Sequence, residues 1–194
     1  MSAPSPHAHP SEPDDAALMH RIQISDESAF AQLMQRWERP VKAVIARIVL
    51  NTSEAEDLAQ ETFVRLWQHR DRFDPSKSVK PWILGIAVNL ARNRLRWWRR
   101  RPSIALDDWT ETPEAGSAPA THGSQQLEHA EQTRAVRDAL AALPPHFREV
   151  LVLFEFEGLS YADIALALGT TPKTVENRLT RGREKLRLQL RRWW

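Results

Sequence analysis

Apolar side chains recur every three to four residues over most of this 194-residue chain, and this spacing predicts amphipathic α-helices. The clearest run covers 79–100, and its apolar residues fall on one helix face: Val79, Trp82, Ile83, Ile86, Ala87 and Leu90. The chain has only one tyrosine and six glycines among abundant Leu, Ala, Arg and Glu, which also favours helix over sheet. We therefore predict an all-α fold.

A segment rich in proline and glycine, 102–124, interrupts the helical patterns. It contains three prolines and two glycines, and its charged side chains are all acidic, so we predict a flexible, extended linker. The linker separates two small helical domains, at 14–101 and 125–194. Residues 1–13 have prolines and histidines but no apolar run, so they are predicted to be a disordered tail rather than a secretory signal.

Capping and helix-breaking residues set the expected helix bounds. In the first domain we predict helices at 14–24, 27–50, 53–69 and 79–100. The third is expected to begin with a capping box, because Ser53 stands three residues before Glu56. In the second domain we predict helices at 125–142, at 146–156, between Ser160 and Gly169, and from Pro172 towards 192.

The composition also argues against several function classes. The chain has no cysteine, which removes disulfides, thiolate metal sites and cysteine nucleophiles and fits a cytoplasmic protein. Its seven histidines lack the spacing of a helical metal site, and no phosphate-binding loop or hydrolase motif is found. No apolar run reaches the roughly 18 residues that cross a bilayer. We expect no catalysis, cofactor, metal ion or membrane insertion.

The net charge of +2 hides an uneven distribution of charge. Six arginines and no acidic residue fall within 92–101, and eight basic residues fall within 173–192. Between these segments, 107–131 carries six acidic residues and neither lysine nor arginine. Clustered positive charge of this kind is typical of a protein that binds a polyanion.

The second basic segment belongs to a helix-turn-helix pattern. A short helix ends at Gly169, which permits the positive φ of the turn, and Pro172 opens a long basic helix. Ala165 is small enough to let the two helices approach closely. A hairpin with a merely solvated basic face is the alternative, but it leaves the coincidence of these features unexplained.

The first turns of such a second helix normally enter the major groove, where Arg reads guanine, Asn reads adenine and Glu can accept from cytosine. Farther along the helix, Arg183 is better placed for phosphates. The expected DNA contacts are Thr171, Lys173, Thr174, Glu176, Asn177, Arg178, Arg181 and Arg183.

The arginine-rich segment 92–101 is a second candidate polyanion site. Trp97 and Trp98 could stack on unpaired bases, a contact that is worth about 1–3 kcal/mol for each base. Two alternatives stay open. The tryptophans could cover the core while the arginines are solvated, or the segment could lie at a membrane interface. The same question applies to the terminal Trp193-Trp194.

Four segments together resemble bacterial RNA polymerase sigma factors of the sigma-70 family, in their extracytoplasmic-function (ECF) class. They are SEAEDLAQETFVRLW at 53–67, WILGIAVN at 82–89, LPPHFREV at 143–150 leading into YADIA at 161–165, and TVENRL at 174–179. All four occur in the family's order, and the resemblance covers about 14–101 and 125–187. It implies a helical bundle like sigma region 2, then a helix-turn-helix domain like region 4.

The resemblance implies a transcription initiation factor that binds core RNA polymerase and directs it to specific promoter DNA. The helix at 53–67 would dock on the β′ clamp helices, and the β flap is a further expected contact. The residues implied in polymerase binding are Asp57, Gln60, Glu61 and Phe63. The helix at 79–101 would capture and melt the −10 element. The residues implied there are Trp82, Asn89, Arg92, Asn93 and Arg96.

Two further roles follow from the same resemblance. The helix-turn-helix would read the −35 element as duplex DNA, and the acidic linker would pass through the nucleic-acid channel of the polymerase. A regulatory anti-sigma protein is an expected partner, because Phe63 and Trp67 lie off the centre of their apolar stripe. Three residues depart from the family's usual pattern: Val79, Asn93 and Glu176. Glu176 leaves the base preference at the −35 element open.

Two other functions compete with this interpretation. A stand-alone helix-turn-helix transcription regulator would bind DNA stably without polymerase, and its N-terminal domain would sense a ligand or dimerise. An interaction adaptor, such as a sigma mimic, would keep the protein contacts but would need neither arginine cluster.

Overall fold

The computed structural model describes the backbone of residues 14–101 and 123–191, with side chains from residue 131 onward in the second range. Within these ranges the regular structure is helical and there is no β-strand, so the all-α prediction is confirmed. The predicted tail, residues 102–122 of the predicted linker and the terminal Trp193-Trp194 lie outside the described residues.

The first domain contains four helices close to the predicted bounds. They are α1 (Asp15–Gln23), α2 (Glu27–Val49), α3 (Thr52–Gln68) and α4 (Val79–Arg100). A short 3-10 turn at Arg70–Arg72 follows α3. Each of these helix ends lies within one residue of its predicted position, because apolar periodicity and capping residues indicate the same bounds in this half.

The described part of the second domain also contains four α-helices. They are α5 (Gly123–Ala141), α6 (Pro145–Leu151), α7 (Tyr161–Leu168) and α8 (Pro172–Gln189). The helix predicted at 146–156 is divided, because α6 continues into a π-helical turn at Val152–Phe156. Since α5 begins at Gly123, the last two residues of the predicted linker are helical.

The start of α3 differs from the prediction. Asn51 caps the helix, and its side-chain oxygen accepts a hydrogen bond from the Glu54 backbone N–H at 2.9 Å. Ser53 already lies inside the helix, so the predicted capping box is wrong. The physical reason is that both Asn and Ser can cap a helix, and the extended backbone at Asn51 decides between them.

The predicted start of the first helix at Ser160, its end at Gly169 and the start of the second helix at Pro172 are confirmed. Ser160 accepts a hydrogen bond from the Asp163 backbone N–H at 3.1 Å and begins α7. Gly169 ends α7 in the left-handed region, with φ of 60°. Thr171 then accepts from the Thr174 backbone N–H at 3.2 Å and begins α8. These caps determine where each helix of the turn begins and ends.

Helices α2, α3 and α4 pack on one another, and α1 packs on α2. Their largest fully buried side chains are Leu18, Met19, Ile22, Leu33, Ile45, Ile48, Leu66, Ile83 and Leu84. In the second domain, α8 packs on α6 and α7 around Leu151, Leu153 and Ile164. Gly182 permits the approach of α8, because a Cβ there would lie 3.1 Å from the Cδ1 atom of Leu151.

The α4 helix is buried over more of its circumference than its apolar pattern predicts. Leu84, Val88 and Ala91 are buried in addition to the predicted stripe. The reason is that α4 packs against α7 of the second domain as well as against α2 and α3. The buried apolar residues of both domains consequently form one continuous cluster.

Arg148 is a charged residue of this core, with 5% of its surface exposed. Its guanidinium donates to the carbonyl oxygens of Leu140, Ala141 and Leu143 at 2.8–3.0 Å. It also donates to the Ile48 carbonyl at the end of α2, at 2.6 Å. Burial lowers the pKa of Arg148 to about 10, so the side chain is charged at neutral pH. One arginine therefore connects the end of α5 to the first domain.

Candidate functional site

The residues implied in −10 recognition follow one side of α4, because they are separated by steps of seven, three, one and three residues. Trp82 and Arg92 are half-buried, whereas Asn89, Asn93 and Arg96 are exposed. The structure therefore brings the predicted set together on one element.

Trp82 and Asn89 line the same groove, which has a volume of about 290 Å³. The Trp82 ring packs against Phe73, with ring centroids 5.1 Å apart. Leu166 and Ala167 of α7 form the opposite wall of this groove. The groove offers an aromatic surface and an amide, but it is bounded by both domains.

Arg92 is held in an ion pair with Glu149 of α6. Its Nη2 and Nε atoms donate to the two carboxylate oxygens at 2.7 and 3.1 Å. The Glu149 side chain is 1% exposed. This hydrogen-bonded pairing raises the pKa of Arg92, while burial opposes the rise. The predicted DNA contact at Arg92 is thus occupied by a carboxylate of the other domain.

The end of α4 decides between the alternatives for its tryptophans. Trp98 is 5% exposed and belongs to the core, so it has no free face for a base. Trp97 is half-buried, and the guanidinium of Arg101 lies 5.2 Å from its ring centroid. Next to it, Arg96 donates to the side-chain oxygen of Asn93. For Trp98 the prediction of base stacking is wrong, because the helix turns that ring inward.

The residues implied in −35 recognition line the start of α8. Three of them are half-buried: Thr174, Arg178 and Arg183. The other five are exposed: Thr171, Lys173, Glu176, Asn177 and Arg181. Lys173 and Glu176 pair at 2.8 Å on the surface. Since the N-terminal end of α8 is open, it has the geometry of a helix that enters a DNA groove.

Arg183 differs from its neighbours on α8. It donates to Glu155 at 2.8–2.9 Å, and its guanidinium lies 4.8 Å from the Phe154 ring centroid. The hydrogen bond with Glu155 raises the pKa of Arg183. This arginine therefore supports the packing of α8, an arrangement that the basic pattern alone does not indicate.

A second groove, with a volume of about 580 Å³, runs between α2 and α3. Its apolar wall consists of Phe30, Met34, Ala59, Phe63, Val64 and Trp67. The rings of Phe30 and Trp67 are 5.0 Å apart, and Val64 is 53% exposed. Glu38 and the paired Lys42 and Glu56 bound it. A groove of this kind can take up an apolar segment of a partner protein.

Two of the four residues implied in polymerase binding line this groove, and the other two lie outside it. Gln60 and Phe63 line it, but Phe63 is 4% exposed and contributes mainly its buried ring. Asp57 is exposed on α3 outside the groove. Glu61 faces the other side, where it pairs with Arg65 at 2.6 Å.

Sequence reasoning missed the residues through which the second domain contacts α4. Among them are Gly85, Lys80 and Glu149. A signal existed for Gly85 alone, since an isolated glycine inside a helical pattern often marks a close approach of backbone. Glu149 and Lys80 looked like ordinary surface charges.

The structure was also searched for metal sites and for membrane-spanning helices. Among the described residues, no group of three His, Asp or Glu side chains could hold a metal ion. Within the same part of the chain, no helix is sufficiently long and apolar to cross a membrane.

The fold and these surfaces define a class of protein. An exposed basic helix follows a capped turn, an arginine-rich helix lies beside an aromatic groove, and a separate apolar groove can receive a protein partner. This combination is that of a helix-turn-helix DNA-binding protein that acts together with another protein.

Comparison with known proteins identifies the family. Residues 33–101 match Sigma-70 region 2, and residues 133–186 match Sigma-70, region 4. RNA polymerase sigma factor CarQ of Myxococcus xanthus is 36% identical over 87% of this chain and 93% of its own length. ECF RNA polymerase sigma factor SigW of Bacillus subtilis is 31% identical over 88% of this chain and 94% of its own.

Two solved structures share the fold. CnrH, in complex with the cytosolic domain of CnrY, superposes with a TM-score of 0.65, at 27% identity, over 91% of this chain and 96% of that one. The sigma factor RpoE of Bartonella quintana, in complex with the anti-sigma factor NepR, has a TM-score of 0.63. It is 26% identical and matches 84% of this chain and 96% of that one.

The chain belongs to the sigma-70 family of RNA polymerase sigma factors, in the ECF class. It is accordingly a promoter-specific transcription initiation factor whose partners are core RNA polymerase and promoter DNA. The members of this family are regulators rather than catalysts.

Proposed function

We propose that the two domains divide promoter recognition between them. The start of α8 reads the −35 element as duplex DNA, and the side of α4 that carries Trp82 and Asn89 captures and melts the −10 element. The observation that carries this proposal is the alignment of Trp82, Asn89, Arg92, Asn93 and Arg96 along one side of a single helix.

The division follows from the different geometry of the two surfaces. Duplex readout needs a rigid helix with free polar side chains, and Asn177, Arg178 and Arg181 supply them on α8. Strand opening needs a concave surface that takes up an unpaired base, and the groove beside Trp82 and Asn89 has this shape.

The groove between α2 and α3 is the proposed docking surface for core polymerase. An apolar wall beside charged residues suits an amphipathic helical partner, which fits the β′ clamp helices. Asp57, Gln60 and Glu61 would add polar contacts around the groove. The polymerase would supply the catalytic site and its metal ions, so that this chain acts in the cytoplasm without chemistry of its own.

An anti-sigma protein is the proposed regulator of the same surfaces. CnrH and RpoE were each solved in complex with a second protein, which for RpoE is an anti-sigma factor. The half-buried Trp67 and exposed Val64 leave an apolar area that such a partner would cover. Affinity purification that recovered polymerase subunits alone would contradict this part of the proposal.

Transcription with sigma-free core polymerase tests the central proposal. The purified chain and core enzyme are combined on a library of promoter-like DNA, and promoter opening and transcript synthesis are measured. Asp57→Ala should reduce polymerase binding, whereas Asn89→Ala should leave it intact and reduce opening. Gln35→Ala, an exposed amide outside both grooves, is the matched control and should behave as wild type.

The same experiment separates the rival function. Tight, specific binding of duplex DNA by the chain alone, without any engagement of polymerase, would indicate a stand-alone regulator. Transcription that depends on the chain and returns a defined promoter sequence would support the division of labour proposed above.

A further inference from the structure

We propose that Gln23 of α1 and Arg70 of the 3-10 turn after α3 are positioning residues, which form a reciprocal clamp and orient an aromatic ring in each groove of the first domain. Gln23 precedes residues 33–101, the part of the chain that matches Sigma-70 region 2. The effect of the clamp on polymerase and promoter rests on the proposed function of the two grooves. The clamp itself is a structural claim that can be tested without polymerase.

The side chain of Gln23 holds the 3-10 turn by its backbone. Its Nε2 atom donates to the carbonyl oxygen of Arg70 at 3.2 Å and to that of Phe73 at 3.0 Å. Arg70 begins the turn and Phe73 directly follows it. An amide nitrogen has two hydrogens, so these two bonds use its full donor capacity. The last residue of α1 therefore fixes both ends of a turn that lies 47 to 50 residues farther along the chain.

The side chain of Arg70 completes the clamp in the opposite direction. Its Nη2 atom donates to the Ser25 hydroxyl at 3.0 Å, in the connection between α1 and α2. Its Nη1 atom donates to the Trp67 carbonyl oxygen at 2.7 Å, and its guanidinium lies 4.6 Å from the Trp67 ring centroid. A planar guanidinium can donate several hydrogen bonds and also stack on an aromatic ring. Lysine has no planar face and cannot reproduce this combination.

The α1 helix is a firm support for the clamp. Leu18, Met19 and Ile22 are fully buried and belong to the apolar core. The helix packs on α2, on the 3-10 turn and on α4. Burial of three large apolar side chains holds a helix far more firmly than surface contacts do. The Gln23 amide is therefore presented from a fixed element.

The clamped turn lies between the two grooves of the first domain. On one side, Trp67 lines the groove between α2 and α3. On the other side, Phe73 is 4% exposed and its ring centroid lies 5.1 Å from that of Trp82, in the smaller groove. Arg70 contacts the first of these aromatic residues directly, and Gln23 binds the backbone of the second. The clamp thus reaches the aromatic wall of each groove.

Fluorine NMR of the full chain, labelled with 5-fluorotryptophan, tests the clamp. The chain has eight tryptophans, and the resonances of Trp67 and Trp82 are assigned from variants in which each is replaced by phenylalanine. Gln23→Leu removes both donors to the turn and should shift the Trp82 resonance. Arg70→Lys keeps the charge and should shift the Trp67 resonance. A variant that leaves its resonance unchanged would overturn the positioning role of that residue.

Gln32→Leu is the matched control. Gln32 is exposed on α2 outside both grooves, and its substitution removes a single hydrogen bond, from Nε2 to the Ser28 hydroxyl at 3.3 Å. Both resonances should stay at their wild-type positions in this variant. Circular dichroism verifies that every variant is folded at the temperature of the NMR measurement. Equal broadening of all eight tryptophan resonances in Gln23→Leu would mean a general loosening of the fold and would overturn the clamp.

Transcription with core polymerase tests what the clamp serves. With saturating core enzyme, Gln23→Leu should slow promoter opening by about fivefold, a factor in the range of one lost hydrogen bond. Arg70→Lys should weaken core binding by a similar factor. Shifted resonances together with wild-type opening and core affinity would overturn the role in positioning. If the wild-type chain supported no transcription while both resonances shifted as expected, the proposed function would fall and the clamp would stand.

Discussion

Arg148 and Glu149 are adjacent charged residues that are both almost fully buried. Arg148 binds four backbone carbonyls, and Glu149 binds the guanidinium of Arg92. Charged side chains are buried at a cost that only such complete pairing offsets. At the scale of single residues, two buried charged side chains and their hydrogen-bond partners therefore connect helices that are distant in sequence.

The cap of α3 provides a stability test at a single residue. Asn51→Ala removes the acceptor for the Glu54 backbone N–H and should lower the free energy of unfolding by about 1 kcal/mol. Ser53→Ala, inside the helix and exposed, should change it by less than about 0.5 kcal/mol. Urea denaturation measures both. Equal losses in the two variants would contradict Asn51 as the cap.

His146 predicts a pH dependence of stability. His146 is largely exposed, but partial loss of its hydration, and then the charge of Arg178, lower its pKa below 6.5, while Glu149 opposes them. The unfolded chain therefore binds this proton more readily, so the His146 contribution to the free energy of unfolding falls as pH drops through 6.5. His146→Gln should remove that contribution. The difference between wild type and variant, followed by urea denaturation, should be constant above this pH and change below it.

At the scale of elements, α4 is the central helix of the molecule. It packs against α2 and α3 on one side and against α7 on another, and its arginine-rich end reaches the surface. The α2 and α3 helices keep a separate apolar groove that no other described element lines. Elements therefore divide the proposed functions: α4 and α8 carry the proposed DNA surfaces, and α2 and α3 carry the proposed polymerase surface.

The groove between α2 and α3 gives a prediction at this scale. Val64→Glu introduces a charge into its exposed apolar wall and should weaken binding of core polymerase by at least about tenfold, since that charge would be buried without a partner. Val136→Glu, on Val136 of α5, which is 38% exposed, is the control and should bind normally. Anisotropy of labelled protein titrated with core enzyme measures both affinities. Equal affinity of the two variants would exclude this groove as the docking surface.

At the scale of the whole molecule, the two domains share one apolar cluster although a long acidic segment separates them in sequence. The proposed −10 groove has walls from both domains, whereas among the described residues only those of the first domain line the proposed polymerase groove. The arrangement of the domains consequently affects how accessible the proposed −10 groove is.

Arg148 tests the connection between the domains. Arg148→Met leaves carbonyls of Leu140, Ala141, Leu143 and Ile48 without their donor and should lower the free energy of unfolding by more than about 3 kcal/mol. Arg134→Met, at an exposed position of α5, should change it by less than about 0.5 kcal/mol. Scanning calorimetry measures both. A small loss for Arg148→Met would mean that these hydrogen bonds contribute little to stability.

Much of this protein follows from its sequence alone. Apolar periodicity, Ser160, Gly169 and Pro172 act over a few neighbouring residues, so the helices of both domains and the helix-turn-helix could be predicted without the fold. The grouping of the predicted −10 residues on one side of α4 is likewise a consequence of helical spacing.

Contacts between distant segments were decided only by the tertiary structure. Glu149 pairs with Arg92 across 57 residues, and Ala167 meets Gly85 from another domain. Trp98 is turned into the core, and Arg183 is engaged by Glu155. In each case a side chain's role depends on which partner the packed helices bring to it. Local sequence determines what a residue can bind, but only the fold determines what stands beside it.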